Sequence, residues 1–348
     1  MKAIFYGFQF PHHGRFSAFN GFRGSLGTQG VDIVDASWPR IVDMRGFRRL
    51  RRPLMKFRER QLWARIHQQG YDLVHYFFPE NSVFEAFHNC HKSQKRVLSL
   101  HLPGGNAYLS ELRLDNPLLH SAIKKADGII LMAPDDLEIY REFAPNSRVV
   151  FLPHGIDTEF FAPQPASQFP VHPMRAITIG NMLRDYEFWA RTVREALQIC
   201  SDLEFVVIAG RNHLPKVLPI FGGTLPPQVQ WLTGISDEEL RIQYTQAGVL
   251  FLPLKEAWAN NALLEAAAMG LPVMATDLPA IRAYLGELGI YFQNNDPQAA
   301  ARELLGALAN TERAQRLRLA LRKRAEEQLS WDVIAAQYHN FYQLLVEG

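Results

Sequence analysis

The chain has 348 residues, of which 47% are hydrophobic and 21% charged, and it contains two cysteines. At about 100–200 residues per domain, this length predicts two domains, and the apolar content excludes a disordered, collagen-like or coiled-coil chain. The most apolar runs, such as 248–254, are far shorter than the ~20 residues of a membrane span. The two cysteines favour a reducing, cytoplasmic setting over a disulfide framework.

Short β-branched runs alternate with longer amphipathic stretches, which is typical of parallel strands covered by helices on both faces. In the first half the predicted strands are 2–7, 31–36, 73–77, 96–100, 128–132 and 148–152. In the second half they are 175–180, 204–209, 229–233, 248–254, 272–276 and 290–292. The first run lacks the long apolar core of a signal peptide. The sequence therefore predicts doubly wound α/β domains, in which ligands bind beyond the carboxyl ends of the strands.

A basic segment follows the second predicted strand. The formal net charge is only +2, but residues 1–170 carry 21 Lys and Arg against 16 Asp and Glu, and ten of these cations lie in 40–65. Apolar residues interleave with them. Three interpretations stay open: a solvated helix packed on its domain, a helix that docks on an anionic membrane surface, and a site for an acidic acceptor or nucleic acid. Nucleic acid is the least favoured, and Pro53 is expected to interrupt a single long helix.

The two halves meet at a proline-rich stretch. Residues 161–174 contain four prolines and no helical period, a composition typical of a linker. The sequence thus predicts an N-terminal domain at 1–160, a C-terminal domain at 175–330, and a last helix at 331–348.

The segment 252–277 carries the sharpest pattern in the chain. It predicts a strand, a polar loop, a helix opened by asparagine, and another strand. Either Asn260 or Asn261 can cap the helix. The backbone N–H groups of Ala262 and Leu263 would then face an anion, assisted by the helix dipole.

Two glutamates supply the carboxylates of this segment. Glu265 lies one turn into the helix, where it can accept two hydrogen bonds from a vicinal diol such as ribose, and Glu256 lies in the preceding loop. The segment resembles the donor-binding signature of glycosyltransferase family 4, in which Glu265 matches the second glutamate and 270–273 the Gly-x-Pro-Val that follows. At the position of the first glutamate stands Ala257, with Glu256 one residue earlier, and 259–261 replaces the usual Gly-Phe-Gly.

Other stretches resemble the same family in the same order: 229–234, 237–240, Tyr244, the interdomain element 153–161, and Ser330–Trp331 at the start of the last helix. The resemblance implies the GT-B fold, in which two Rossmann-like domains face a cleft and the last helix returns to the first domain.

The resemblance also implies a nucleotide-diphosphate sugar as donor. The family has Gly-Arg after the first strand of its second domain, whereas here Gly180 is followed by Asn181. Arg184 is therefore the expected contact to the diphosphate, and Arg211 is a second candidate. Preorganised cations stabilise the charge that develops on a departing diphosphate.

In the N-terminal domain the family places a glycine-containing loop near the diphosphate and a histidine near the donor sugar. Gly14 and His101 occupy these places after the first and fourth predicted strands. His101, Glu256 and Arg184 are thus the expected catalytic residues. Retention of the anomeric configuration follows from the resemblance, and neither a metal nor another cofactor is expected.

The sequence predicts a glycosyltransferase that acts in glycan, glycolipid or polysaccharide synthesis. Its acceptor would be a glycan, a lipid-linked molecule or a small molecule, held mainly by the first domain, and nucleic acid is not an expected partner. Two alternatives stay open: another GT-B enzyme such as a nucleotide-sugar epimerase, and a GT-B protein that binds a sugar nucleotide or scaffolds a partner with little or no catalysis. The position of Glu256 and the missing arginine after Gly180 keep the second alternative open.

Overall fold

A computed structural model describes residues 1–7, 14–16, 18–37, 50–101, 105–165 and 167–348. The chain forms two compact units. Unit 1 comprises Met1–Gly155 and Trp331–Gly348, and unit 2 comprises Ile156–Ser330.

Unit 1 contains one parallel sheet. Its described strands are β1 (Ala3–Gly7), β2 (Asp32–Asp35), β3 (Leu73–Phe77), β4 (Lys95–Leu100), β5 (Gly128–Leu131) and β6 (Arg148–Phe151). Its described helices are α1 (Ala18–Thr28), α2 (Arg51–Gln69), α3 (Glu85–His88), α4 (Gly105–Asp115), α5 (Pro117–Lys125) and α6 (Leu137–Phe143). The sheet order is β2-β1-β3-β4-β5-β6, so the winding reverses between β1 and β3.

Unit 2 contains a second parallel sheet. Its strands are β7 (Arg175–Ile179), β8 (Glu204–Ile208), β9 (Val229–Leu232), β10 (Val249–Leu252), β11 (Val273–Thr276) and β12 (Ile290–Phe292). Its helices are α7 (Tyr186–Ile199), α8 (Leu214–Val217), α9 (Asp237–Gln246), α10 (Asn261–Ala268), α11 (Pro279–Leu285), α12 (Pro297–Ala309) and α13 (Thr311–Arg324). The order β12-β11-β10-β7-β8-β9 places the reversal between β7 and β10. Such a switch point is the usual ligand site of a doubly wound sheet.

The last helix, α14 (Trp331–Glu347), lies in unit 1. Its Tyr342 hydroxyl is 2.5 Å from Nδ1 of the buried His75 on β3, and its Trp331 ring stacks on Phe22 of α1 at a centroid distance of 5.0 Å. These contacts explain why the C-terminal end of the chain belongs to the N-terminal unit.

The boundary between the units differs from the one that composition predicts. The chain enters unit 2 at Ile156 and leaves it at Ser330, so the proline-rich segment 161–174 lies inside unit 2 instead of joining two domains. His172 in that segment donates its backbone N–H to the carbonyl of Gln246 at 2.8 Å. Prolines exclude regular secondary structure from this stretch, but they do not prevent it from packing on its own unit.

The described part of the basic segment is one continuous helix, α2. Pro53 lies in its first turn, where a missing N–H breaks no intrahelical hydrogen bond. The helix thus begins two residues before Pro53, and the expectation that Pro53 interrupts a longer helix over 40–65 stays a prediction. The inward side of α2 carries the buried Glu59, which accepts the Val83 N–H at 2.6 Å; burial raises the pKa of Glu59 to about 7. Residues 40–49 of the segment lie outside the described residues. Within the described part of the chain, each helix is too short or too polar to span a lipid bilayer.

Candidate functional site

The switch point of unit 2 brings together the two loops that the sequence singles out. One loop follows β7 and contains Gly180, and the other follows β10. The Lys255 N–H donates to the Leu183 carbonyl at 2.9 Å, and the Asp185 N–H donates to the Pro253 carbonyl at 3.0 Å. These backbone hydrogen bonds hold the loops side by side at the carboxyl ends of two adjacent strands.

Gly180 is required where it lies. Its φ of +105° is in a region that side chains strongly disfavour. A Cβ atom at this position would lie 2.5 Å from Nη2 of Arg184. The carbonyl of Gly180 accepts a hydrogen bond from the Tyr186 hydroxyl at 2.6 Å. The absent side chain therefore provides the space for the guanidinium group of Arg184.

Arg184 lies just before α7 and spans both loops. Its Nε donates to the Ile179 carbonyl at 2.7 Å, its Nη1 to the Met182 carbonyl at 2.9 Å, and its Nη2 to Oδ1 of Asn260 at 3.3 Å. A guanidinium group has five N–H donors, so two have no acceptor among the described residues. Burial lowers the pKa of Arg184, but an arginine keeps its charge at neutral pH. The site thus contains a fixed cation.

Asn260 is the N-cap of α10. Its Oδ1 accepts the backbone N–H of Leu263 at 3.3 Å as well as the guanidinium of Arg184. The prediction that the Leu263 N–H faces an anion is therefore wrong, because the cap uses it. Asn261 and Ala262 also lie in the first turn, where the helix dipole favours negative charge.

Glu265 is buried one turn further into α10. It is 6% exposed, and its Oε2 accepts the Tyr244 hydroxyl at 2.7 Å. Burial raises the pKa of Glu265 to about 7, while the Tyr244 hydrogen bond and the Arg184 charge act in the opposite direction. A carboxyl group with a pKa this strongly raised, next to a fixed cation, is typical of a functional site.

Glu256 and Arg211 lie on the surface of the same unit. Glu256 and its neighbour Lys255 are exposed in the loop before α10, whereas Ala257 is buried. Arg211 is exposed at the start of the short helical turn Arg211–His213 that follows β8. Among the described residues of unit 2, no contact joins either side chain to Arg184 or Glu265, so their predicted roles stay predictions.

Two residues of this site carry no predicted role in the sequence. Asn181, at the place where the family has arginine, accepts the Gly210 N–H at 2.6 Å through its Oδ1 and thereby links the loops after β7 and β8. Tyr244 reaches Glu265 from α9. The sequence marks Tyr244 as part of a stretch that resembles the family, but it gives no contact with Glu265, because that partner is 21 residues away in the chain.

Unit 1 places His101 directly after β4. Its backbone N–H donates to Oε1 of Glu80 at 2.8 Å, and its ring packs on Phe77 and Phe78 at centroid distances of 4.4 and 4.0 Å. Gly14 is half-buried. The loop residues before Gly14, 8–13, and those after His101, 102–104, lie outside the described residues.

The chain has two doubly wound parallel sheets, which is the architecture of the GT-B class of α/β proteins. A capped helix start, a cation and a carboxyl group lie at the switch point of the second sheet. The family described as Glycosyltransferase Family 4 matches residues 21–160, and the one described as Glycosyl transferases group 1 matches residues 174–310. The chain therefore belongs to glycosyltransferase family 4, a family of glycosyltransferase enzymes.

Several known proteins are similar to this chain. The alpha-maltose-1-phosphate synthase of Mycolicibacterium smegmatis is 26% identical over 251 residues, and the match spans 64% of each protein. The solved structure of sucrose-phosphate synthase from Thermosynechococcus elongatus is 15% identical, with a TM-score of 0.75 over 99% of both chains. HepE from Anabaena, solved in complex with UDP-glucose, is 13% identical with a TM-score of 0.68 over 98% of this chain and 99% of HepE. The two structural likenesses show the fold.

Proposed function

We propose that this protein transfers a glycosyl group from a nucleotide-diphosphate sugar to an acceptor. The observation that carries the proposal is that Arg184 and Glu265 both lie at the capped start of α10, at the switch point of unit 2, where the Arg184 charge acts on Glu265. Arg184 supplies the positive charge and Glu265 supplies hydrogen-bond acceptors. A similar protein, HepE, has been solved with UDP and with UDP-glucose, which supports a donor of this class.

The roles of the residues follow from their chemistry. The ribose hydroxyls of the donor donate to the Glu265 carboxylate. The diphosphate lies at the N-terminus of α10, where the helix dipole, the amides of Asn261 and Ala262 and the remaining N–H groups of Arg184 attract it. In the transition state the diphosphate gains negative charge, and a cation that is already in place lowers the barrier without reorganising.

Retention and the absence of a metal belong to the same proposal. As in the family that the sequence resembles, the acceptor hydroxyl attacks on the face that the diphosphate leaves, and a diphosphate oxygen takes its proton. No side-chain base is then needed. Glu256 would contact a hydroxyl of the donor sugar, and Arg211 would add a second cation near the diphosphate. In unit 1, His101 would contact the donor sugar and Gly14 the diphosphate.

The test follows release of the nucleoside diphosphate from UDP-glucose, GDP-mannose and ADP-glucose. Slow hydrolysis of one of them, with the sugar released as the α-anomer, is expected. Glu265→Ala should abolish it, because the ribose loses both acceptors, whereas the exposed Glu238→Ala on α9 serves as control. Binding without release favours a scaffold, and a changed sugar on an intact diphosphate favours an epimerase. Full activity of Glu265→Ala would contradict the site assignment.

A second proposal concerns the acceptor side and rests on the outer face of α2. Phe57 and Trp63 are 57% and 41% exposed there. Arg52 and Lys56 of the same helix are also exposed, and the only acidic residue of α2, Glu59, is buried. A face that combines cations with exposed aromatic rings fits an anionic lipid surface. We propose that unit 1 contacts a membrane through this face and receives a lipid-linked or membrane-borne acceptor in glycolipid or polysaccharide synthesis.

Sedimentation with lipid vesicles tests this second proposal. The protein should sediment with vesicles that contain 30% phosphatidylserine and not with pure phosphatidylcholine. The variant Phe57→Ser/Trp63→Ser should lose most of the binding, because each ring contributes apolar area to the interface. Leu319→Ser, at a more exposed apolar residue of unit 2 (77% exposed), is the control. Equal sedimentation of both variants would overturn the proposal.

A further inference from the structure

A tyrosine hydroxyl reaches the carboxyl group of Glu265 from the core of unit 2. Tyr244, near the end of α9, is fully buried. Its hydroxyl oxygen lies 2.7 Å from Oε2 of Glu265 and 3.2 Å from the carbonyl oxygen of Ala262. Both neighbours are acceptors when Glu265 is ionised. Because a phenol has a single proton, Tyr244 can donate to only one of them at a time.

The protonation state of Glu265 determines which of the two acceptors receives the hydrogen bond from Tyr244. When Glu265 is ionised, the phenol donates to its carboxylate. When Glu265 is protonated, the carboxylic acid donates its own proton to the phenol oxygen, and the phenol turns its O–H to the carbonyl of Ala262. The buried hydroxyl therefore donates a hydrogen bond in both states. A buried hydroxyl without a hydrogen-bond partner would cost stability, and neither state leaves Tyr244 without one.

We propose that Tyr244 is a positioning residue of the donor site that fixes the orientation of the Glu265 carboxyl group. The O–H of Tyr244 points to Glu265 when Glu265 is ionised, and it turns to the Ala262 carbonyl when Glu265 is protonated. Glu265 can thereby rest as a neutral acid and bind the donor as a carboxylate. The inference rests on the proposed function, because it takes the donor as the ligand of Glu265.

The charged groups around Glu265 fix the direction of the expected pH dependence. Tyr244 and Asp237 face it from α9, and Arg184 faces it from the loop after β7. Burial raises the pKa of Glu265 to about 7, Asp237 acts in the same direction, and Tyr244 and Arg184 act against it. Ribose hydroxyls donate hydrogen bonds, so the carboxylate is the binding form. Donor affinity should therefore rise as the pH increases through about 7, and binding below that pH should release a proton.

Isothermal titration calorimetry of the full chain measures both effects. UDP-glucose, GDP-mannose and ADP-glucose are compared as ligands, and the one that binds most tightly is then titrated from pH 5.5 to pH 9. Sugar esters are needed because the terminal phosphate of a free nucleoside diphosphate itself titrates near pH 6. Repeating the titration in buffers with different ionisation enthalpies gives the number of protons released. The wild-type protein should show an affinity midpoint near pH 7.

Tyr244→Phe removes the hydroxyl and keeps the ring. Because the variant loses a hydrogen bond to the ionised form, its affinity midpoint should move up by about one pH unit, which makes binding roughly tenfold weaker at pH 6.5 and nearly unchanged at pH 9. Asp237→Asn removes a negative charge and should move the midpoint down. In Glu265→Gln the pH dependence should vanish, and adding Tyr244→Phe to it should cause no further shift.

Tyr291→Phe is the matched control, because its half-buried hydroxyl donates to the Gly286 carbonyl and has no contact with Glu265. Circular dichroism and thermal melting show that each variant is folded. A wild-type midpoint in Tyr244→Phe, or an equal loss of affinity at all pH values, overturns this inference and leaves the proposed function intact. Absence of binding by any of the three nucleotide sugars to the wild-type protein overturns both.

Discussion

At the scale of single residues, Gly180 and Arg184 depend on each other. Ala at position 180 would have to keep a φ of +105° and place its Cβ 2.5 Å from Nη2 of Arg184. We expect Gly180→Ala to lower the free energy of unfolding by about 1–3 kcal/mol through backbone strain. Because the guanidinium must also move, the affinity for a nucleotide sugar should fall at least roughly tenfold, the equivalent of one charged hydrogen bond.

Gly222→Ala is the control for this prediction. Gly222 has a φ of +76°, but a Cβ atom there would have no neighbour within 4 Å. It should lose stability without losing nucleotide-sugar affinity. Urea unfolding and titration calorimetry measure the two quantities. Unchanged affinity in Gly180→Ala would show that the position of Arg184 does not matter for the donor.

Asn260 has two functions that separate on mutation. Asn260→Ala removes the N-cap of α10 and should cost about 1 kcal/mol of unfolding free energy. Asn260→Asp keeps the cap and strengthens the contact to Arg184, so its stability should equal or exceed that of the wild type. However, the added negative charge would lie beside the diphosphate and should weaken nucleotide-sugar binding. An aspartate variant that binds the donor as tightly as the wild type would contradict this placement of the diphosphate.

The sequence predicts those site residues whose partners are close in the chain. Asn260 and Glu265 are examples, because a cap and a position one turn into a helix are local properties. The contacts of Tyr244 with Glu265 and of Asn181 with Gly210 depend on how helices and loops pack, so no local pattern predicts them. The mistaken expectation for Leu263 has the same origin: whether a first-turn amide is free depends on the side-chain orientation of the cap.

At the scale of elements, helix α14 is joined to the sheet of unit 1 through a buried histidine. His75 on β3 contacts the Tyr342 hydroxyl at 2.5 Å and the Ser99 hydroxyl at 2.8 Å. Burial lowers the pKa of His75 to about 3, whereas the unfolded chain has the ordinary value of about 6.5. Between these values the unfolded state binds a proton that the folded state does not.

The stability that His75 contributes is therefore complete above about pH 6.5 and decreases as the pH falls towards 3, by up to about 1.4 kcal/mol per pH unit. His75→Gln removes this titration and should flatten the acid side of the stability profile, measured by urea unfolding from pH 4.5 to pH 7.5. The exposed His91→Gln should keep the wild-type slope. Equal slopes in all three proteins would contradict the prediction, because they would mean that His75 binds its proton equally in the folded and unfolded states.

At the scale of the whole molecule, the hydrophobic pattern of the sequence was sufficient to predict the strands of both sheets. All twelve strands that the sequence predicts are present in the described part of the chain, within two residues at each end, because buried parallel strands leave short apolar runs between amphipathic helices. The boundary between the two units was harder to predict from the sequence. Proline content identifies 161–174 as irregular, but only the hydrogen bonds of that segment assign it to unit 2.

Because each unit has its own sheet and core, a ligand held mainly by unit 2 should protect unit 2 most strongly. Saturation at 100 times the dissociation constant stabilises the binding state by about 2.7 kcal/mol. In hydrogen exchange followed by mass spectrometry, a nucleotide sugar should slow exchange most in 180–186 and 253–268, the two loops at the switch point and the helix that follows. The edge strands β2 and β6 of unit 1 should exchange at their ligand-free rates. Glu265→Gln, measured at the same ligand concentration, should lose most of the protection in both segments, because the variant lacks the carboxylate that accepts the ribose hydroxyls and therefore binds the donor more weakly. Stronger protection of the unit 1 sheet than of α10 would place the donor in the other unit.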